Sequence, residues 1–274
     1  MGASRAHARR GVRAYARLPA PLLYNVSGTG IRAGLGRALV DVNFPGALVA
    51  LAVLAVVAGR LHGRARAAAL PAALCCVVFA VPGVVRQSDL DARWINAVPA
   101  LGVLAVFTLS LLADGPESPR HVRGDRLRVA IAIVLTVLAA PWIAAELGFY
   151  LDGVPLLGRI FQTGKLVRFH DAPHPAVHHG VHHGLQGLLL VVTALLVSRL
   201  PASRAARAFL ALLLAYGAAN MANDGWTEQI VERGWASREL PSVLGFSPNW
   251  LWLAVLMTAA AVYALWFRRS QPPP

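Results

Sequence analysis

Six of the nine histidines in this chain fall within fourteen positions of the stretch RFHDAPHPAVHHGVHHGLQG, residues 168–187. They are His170, His174, His178, His179, His182 and His183. Neutral imidazole binds Zn, Fe and Cu, and histidines four positions apart on a helix direct two rings towards one point. The stretch therefore predicts a site for a divalent transition metal, with Zn or Fe preferred and Cu as a further candidate.

The apolar run that follows the histidines predicts a membrane-spanning helix, but this run is too short to cross a bilayer alone. From Leu185 to Ser198 it would extend roughly 21 Å, against about 30 Å of hydrocarbon. The helix is therefore expected to begin within the histidine stretch. Because proline is tolerated in the first turn of a helix, Pro173 and Pro175 are expected to mark its start, with His174 on the helix.

On such a helix, at about 100° per residue, the histidines separate from the small residues. One face carries the five histidines between positions 174 and 183 together with Gln186. The opposite face carries Gly180, Gly184 and Gly187, and small residues at this spacing let a neighbouring helix approach closely. One side of the helix thus offers metal ligands, and the other offers a packing surface.

His178, His182 and His174 are expected as first ligands, with His179 and His183 as a second set or in the second shell. One helix cannot surround a metal ion, so further ligands must come from other segments. Glu146 and Asp224 are the carboxylate candidates, since acidic residues in apolar runs are costly and usually functional. Either would complete the coordination or act as a general base towards a water activated by the metal. The alternatives are a helix cap or an arginine pair for Glu146, an interhelical hydrogen-bonded stripe that includes Asp224, and a solvated histidine loop.

The composition is that of an integral membrane protein. Hydrophobic residues make up 57% of the chain and charged residues 14%, with a mean hydropathy of +0.55. We predict an all-α, polytopic bundle of seven transmembrane helices over 43–267, between a basic tail at 1–42, mobile or lying on a surface, and a short tail at 268–274. The predicted spans are 43–60, 67–85, 94–113, 128–150, 178–199, 204–223 and 248–267.

Seven spans place alternate loops on opposite sides, and the charges differ between the sides. The loops 60–66, 114–127 and 199–207, together with the C-terminus, carry most of the arginines, and short basic loops remain cytoplasmic. The histidine side is then extracytoplasmic in the cell membrane, although the basic tail at 1–42 would have to cross. A net charge of +13 follows this loop pattern, so no nucleic acid is expected as a partner. The same alternation gathers polar residues near the histidines: Asp41, Asn43, Arg86, Gln87, Asp89, Asn96, Glu146, Tyr150, Asn220, Asn223 and Asp224.

The motifs HDAPH, HPAVHH and HGVHH resemble the histidine boxes of membrane fatty-acid desaturases and hydroxylases, which hold two iron ions. In that family the boxes lie on different helices, whereas here they overlap in one segment and no histidine follows His183. The seven spans are also similar in architecture to the ceramidase and adiponectin-receptor group of zinc hydrolases. Neither resemblance extends to the ligand set, so neither family is assigned.

The sequence thus predicts a membrane protein with a metal site at one face of the bilayer. The leading function is a metal-dependent hydrolase or oxidoreductase that acts on a lipid or another apolar small molecule. The alternatives are a metal or haem carrier, a transporter or sensor, and a structural membrane subunit whose histidines contact a partner.

Overall fold

The computed structural model describes residues 42–81, 84, 94–115, 124–140, 166–169, 172–175, 184–231, 233–244 and 247–268. These residues form seven α-helices: α1 (Ala47–Val57), α2 (Gly63–Val77), α3 (Ala97–Leu112), α4 (Asp125–Leu138), α5 (Gly184–Val197), α6 (Arg204–Trp226) and α7 (Trp250–Val262). Short 3₁₀ or π-helical turns adjoin them at Val42–Gly46, Ala58–Arg60, Val78–Ala80, Trp94–Asn96, Thr227–Val231 and Tyr263–Phe267.

Within the described residues, five helical segments are long and apolar enough to cross a membrane, which supports a helical membrane bundle. They are Asn43–Arg60, Gly63–Ala80, Trp94–Leu112, Arg204–Val231 and Trp250–Phe267. Gly184–Val197 is apolar but shorter. The predicted spans 128–150 and 178–199 both run partly outside the described residues, and so does the predicted tail at 1–42.

Large apolar side chains cover the outward faces of several helices. On α3, Leu104 is 59% exposed and Leu111 is 70% exposed, and α7 presents Leu253 and Met257 in the same way. In water, an apolar surface this continuous would be an aggregation liability. In a bilayer, hydrocarbon chains contact this surface. Helices can be surrounded by lipid in this way because they satisfy their own backbone hydrogen bonds.

The helices pack around α1 and around the antiparallel pair α5 and α6. α1 contacts α2, α3, α5 and α6, while α4 lies against α5 and α7 against α6. The α2–α3 pair is closest at Gly102, where an added Cβ would lie 2.7 Å from the backbone nitrogen of Cys76. The two adjacent cysteines therefore belong to a helix–helix contact.

The α5–α6 pair is held by direct backbone contact between two glycines. A Cβ added to Gly187 would lie 2.5 Å from the carbonyl oxygen of Gly217, and one added to Gly217 would lie 2.6 Å from the carbonyl oxygen of Gly187. No other residue type fits such a contact without moving the helices apart. The expectation that the glycine face of this helix admits a close neighbour is confirmed at Gly184 and Gly187, whereas Gly180 lies outside the described residues.

One end of the bundle is tied together by a buried arginine. Arg128 is 0% exposed, and its Nη1 donates to the carbonyl oxygen and the Oγ of Ser198, at 2.8 and 2.9 Å. The guanidinium carbon lies 5.0 Å from the ring centroid of Trp266 and 4.8 Å from that of Phe267. The contacts join the start of α4, the end of α5 and the segment after α7, which the loop alternation assigned to one side.

Further polar contacts connect segments at the same end of the bundle as Arg128. Arg199 forms a bidentate pair with Asp125, with nitrogen–oxygen distances of 2.5 and 3.2 Å. Arg60 donates to the carbonyl oxygen of Gly115 at 2.8 Å, and the exposed side chains of His62 and Asp114 lie 3.1 Å apart. These contacts link the loop after α1 to the end of α3.

A short two-stranded antiparallel ribbon departs from the predicted all-α fold. β1 (Leu166–Phe169) pairs with β2 (Ala172–Pro175), and His174 stands opposite Val167 in the register. The expectation that His174 lies on the first turn of a helix is therefore wrong. The reason is local, because a residue before proline is driven towards extended backbone, and both Ala172 and His174 precede a proline.

Replacing Gly187 with alanine should separate α5 from α6, because the new Cβ has no space against the Gly217 carbonyl oxygen. We expect the free energy of unfolding to fall by about 1–3 kcal/mol, as for other overpacked sites. The matched control is Gly225→Ala on α6, where an added Cβ meets nothing within 4 Å. Thermal unfolding in detergent followed by circular dichroism should show a loss for the first variant only, and equal midpoints would contradict the proposed backbone contact.

Replacing Arg128 with alanine should leave the Ser198 oxygens and the two aromatic rings without their shared partner. We expect a loss of about 3 kcal/mol, which corresponds to a fall of roughly 6–12 °C in Tm at 2–4 °C per kcal/mol. Arg126→Ala is the control, since Arg126 lies two residues away and is exposed. Its Tm should stay close to that of the native chain, and a similar loss in both variants would mean that Arg128 has no special role.

Candidate functional site

The predicted ligands are divided between described and undescribed parts of the chain. Asp224 is fully described, and of His174 only the backbone, on β2, is described. The others lie outside the described residues: Glu146, His170, His178, His179, His182 and His183. Among the described residues, no group of three or more His, Cys, Asp or Glu side chains is placed to hold a metal ion.

Asp224 is a buried carboxylate at the upper end of the α5–α6 contact, where "upper" denotes the end opposite Arg128. Its side chain is 7% exposed and lies against Gly184, the first described residue of α5. A Cβ added to Gly184 would lie 2.6 Å from Oδ2 of Asp224, so only glycine allows this approach. The backbone N–H of Gly184 donates a hydrogen bond to the carboxylate.

One oxygen of this carboxylate is unsatisfied within the described structure. Oδ2 of Asp224 is buried and has no hydrogen-bond partner among the residues described. A buried charge without a partner costs several kcal/mol, so such a carboxylate needs a proton, a cation or a further donor. Which of these compensates Oδ2 is not given by the described residues, because the chain immediately before Gly184 lies outside them.

The upper end of the bundle also collects buried amides. Asn43 is 0% exposed, and neither its Nδ2 nor its Oδ1 has a partner in the part of the chain that is described. Asn220 is 3% exposed and donates to the carbonyl oxygen of Tyr216 at 2.9 Å, and Asn96 is 2% exposed. Asn43, Asn96, Asn220 and Asp224 are the buried and described members of the larger set that the loop alternation placed together.

Buried polar side chains are thus confined to the two ends of the described bundle. At the lower end they are Arg128, Ser198 and Arg207, which bond to one another or to backbone carbonyls. At the upper end they are the amides and Asp224. The predicted polar stripe on α6 is divided in function, because Asn223 instead donates to the carbonyl oxygens of Leu240 and Pro241 at 2.9 and 3.0 Å.

An apolar cavity of about 170 Å³ lies below the buried amides. Its lining residues are Phe44, Leu48, Phe79, Phe209, Leu212, Leu213, Tyr216, Leu244 and Trp252. The rings contact each other: Phe44 lies edge-on to Phe79 and Tyr216, and Tyr216 stacks on Trp252 with centroids 5.4 Å apart. Sequence reasoning missed this cavity, although Phe44 follows Asn43 and Tyr216 precedes Asn220 by one helical turn.

The cavity and the carboxylate adjoin neighbouring faces of α6, about 80° apart around the helix. Tyr216 and Asp224 are eight residues apart, which corresponds to roughly 12 Å along the helix axis. The upper half of the bundle therefore holds a buried carboxyl group and, beneath it, an apolar space. Comparison of the chain with protein-family models, with curated proteins and with solved structures finds no match.

Proposed function

We propose that this chain is a membrane-embedded metal-binding protein, and that it works as a metal-dependent enzyme on a lipid or another apolar substrate. The observation that carries the proposal is the position of Asp224. A buried carboxylate with one oxygen lacking a partner in the described structure lies directly against Gly184. Gly184 follows the histidine stretch in the sequence, separated from His183 by a single peptide bond.

The proposed histidine ligands can be ranked by how close each would lie to the side of α5 that Asp224 contacts. On the helical wheel, at about 100° per residue with His178 at zero, Gly187 falls near 180° and Gly184 near 240°. If the helix extended back through the histidines, His183, near 140°, would be the histidine closest to this side, and His178 and His182 would face away from it. In the proposal, His183 shares the ion with Asp224, and the other histidines and Glu146 complete or support its coordination.

The proposed chemistry assigns distinct tasks to the chain. A bound Zn or Fe ion would act as a Lewis acid or a redox centre at the upper end of the bundle. Asp224 would hold the ion or accept a proton from a nearby water. The apolar cavity beneath would hold the substrate away from water, since its lining is apolar except for the Tyr216 hydroxyl and the Trp252 indole N–H.

A pocket is favoured over a transport path. A transporter has polar or charged side chains along a path across the bilayer, and its substrate site usually lies near the midplane. Among the described residues, the buried polar side chains lie at the two ends, and the region between them is apolar. Below Gly184, α5 carries only Gln186 and Thr193 as polar side chains before Ser198.

The proposal also includes a complete topology. Seven spans would result if the segments around α4 and α5 continue over 128–150 and 178–199. The end with Arg128 would then face the cytoplasm of a cell, and the Asp224 end would be extracytoplasmic in the plasma membrane. This orientation follows from the basic loops at 60–66, 114–127 and 199–207.

Elemental analysis of detergent-purified protein tests the proposed metal site. The native chain should carry stoichiometric Zn or Fe, and the double variant His178→Ala/His182→Ala should lose it. Asp224→Asn keeps the shape of the side chain but removes its charge, so metal affinity should fall by about 10–100-fold. His183→Ala should have an effect at least as large as Asp224→Asn, because it is the proposed partner of that carboxylate.

Asp114→Asn provides the matched control for this experiment. Asp114 also lies beside a histidine, His62, but the pair is exposed at the opposite end of the bundle. Its metal content should equal that of the native chain. Unchanged metal in Asp224→Asn and in the double histidine variant would overturn the proposal, as would equal losses in the control.

A further inference from the structure

The apolar cavity has the size and lining of a binding site for hydrocarbon. Its volume of about 170 Å³ is similar to that of an engineered apolar cavity of roughly 150 Å³ that stays dry and binds benzene. Five of its nine lining residues are aromatic and the remaining four are leucines. Water would find few partners in such a space, so an apolar ligand is the favoured occupant.

The surroundings of the cavity determine which apolar ligand is available. Eight of the nine lining residues lie on segments apolar enough to cross a membrane, and only Leu244 lies between two of them. In a bilayer these segments are surrounded by aliphatic chains. The most abundant apolar group within reach is therefore the chain of a lipid, which can enter sideways between helices.

The wall of the cavity is held in place by hydrogen bonds outside it. Asn249 caps α7, with its Oδ1 accepting from the backbone nitrogens of Leu251 and Trp252 at 2.9 and 3.2 Å. Its Nδ2 donates to the carbonyl oxygen of Ser242 at 2.9 Å. These hydrogen bonds, together with those from Asn223 to the chain at 240–241, hold Trp252 and Leu244 in place before any ligand binds. A pocket that is already formed binds its ligand at a lower entropic cost.

We propose that the cavity binds one aliphatic chain of a membrane amphiphile, whose polar group points towards Asp224. The part of this proposal that concerns the polar group rests on the proposed function. The chain must bridge the roughly 12 Å between the levels of Tyr216 and Asp224, so short-chain amphiphiles bind weakly. This narrows the substrate class to long-chain lipids with a reactive group near the head.

Binding of a hexadecyl lysophospholipid to protein in a steroid-based detergent tests the proposal. The native chain should bind the lipid saturably, and a hexanoyl analogue should bind at least about tenfold more weakly. Leu212→Trp fills the cavity and should weaken binding of the long chain by about tenfold. Leu256→Trp is the matched control, because Leu256 is 55% exposed on the outer face of α7 and its replacement leaves the cavity unchanged.

A second substitution at the same position guards against a folding defect. Leu212→Ala enlarges the cavity, and it should admit a methyl-branched chain that binds the native protein weakly. If neither Leu212 variant changes chain binding relative to Leu256→Trp, the cavity is not the binding site. If the hexanoyl analogue binds as well as the long chain, the proposed chain requirement is wrong.

Metal content distinguishes this inference from the proposed function. Asp224→Asn should bind metal about 10–100-fold more weakly and yet retain binding of the hexadecyl chain, because the cavity lies about two helical turns below the carboxylate. Chain binding in a native protein that contains no metal would support the cavity and overturn the proposed metal function. Stoichiometric metal with chain binding insensitive to Leu212 would support the metal site and overturn the cavity.

Discussion

The backbone contact between Gly187 and Gly217 is the constraint on which the upper half of the bundle depends. Because no side chain separates the two helices there, α5 and α6 stay close over the adjoining turns. Asp224 lies seven residues beyond Gly217, about two turns further along the same face of α6. Because α5 runs antiparallel, Asp224 there meets Gly184, which lies three residues before Gly187. The carboxylate is therefore shielded from solvent by the same packing that joins the helices, and its burial follows directly from two glycine contacts.

The distribution of buried polar groups follows from the cost of placing them in hydrocarbon. An unsatisfied polar group in the membrane interior costs several kcal/mol, so such groups accumulate near the ends of the helices. At the lower end Arg128 is stabilised by Ser198 and by two aromatic faces, which compensate for its lost hydration. At the upper end, compensation for Asp224 and Asn43 is incomplete among the described residues, which is the usual mark of a functional site.

Features that depend on residues close together in the sequence could be predicted, and features that depend on the packing of distant segments could not. The span 43–60 and the packing face of Gly184 and Gly187 follow from composition and helical period, and the grouping of Asn43 with Asp224 follows from alternation across a membrane. The extended backbone at His174 depends on the prolines that follow Ala172 and His174. A residue before a proline favours extended backbone, whereas the same prolines are also compatible with the first turn of a helix. The cavity could not be predicted, because four helical segments and the connecting chain at Leu244 supply its lining, and no local pattern records their packing.

The position of Asp224 also decides between two physical roles for its carboxylate. The hydrogen bond from the Gly184 N–H accounts for one role, in which the carboxylate satisfies a backbone donor of α5. A capping carboxylate usually turns its second oxygen to water, but Asp224 is only 7% exposed and its Oδ2 is enclosed. A cap alone would therefore leave that oxygen unsatisfied in an apolar setting, whereas a proton, a cation or a further donor would satisfy it. In the proposed function a metal ion supplies this compensation, and the glycine at 184 permits the close approach of the carboxylate on which the proposal depends.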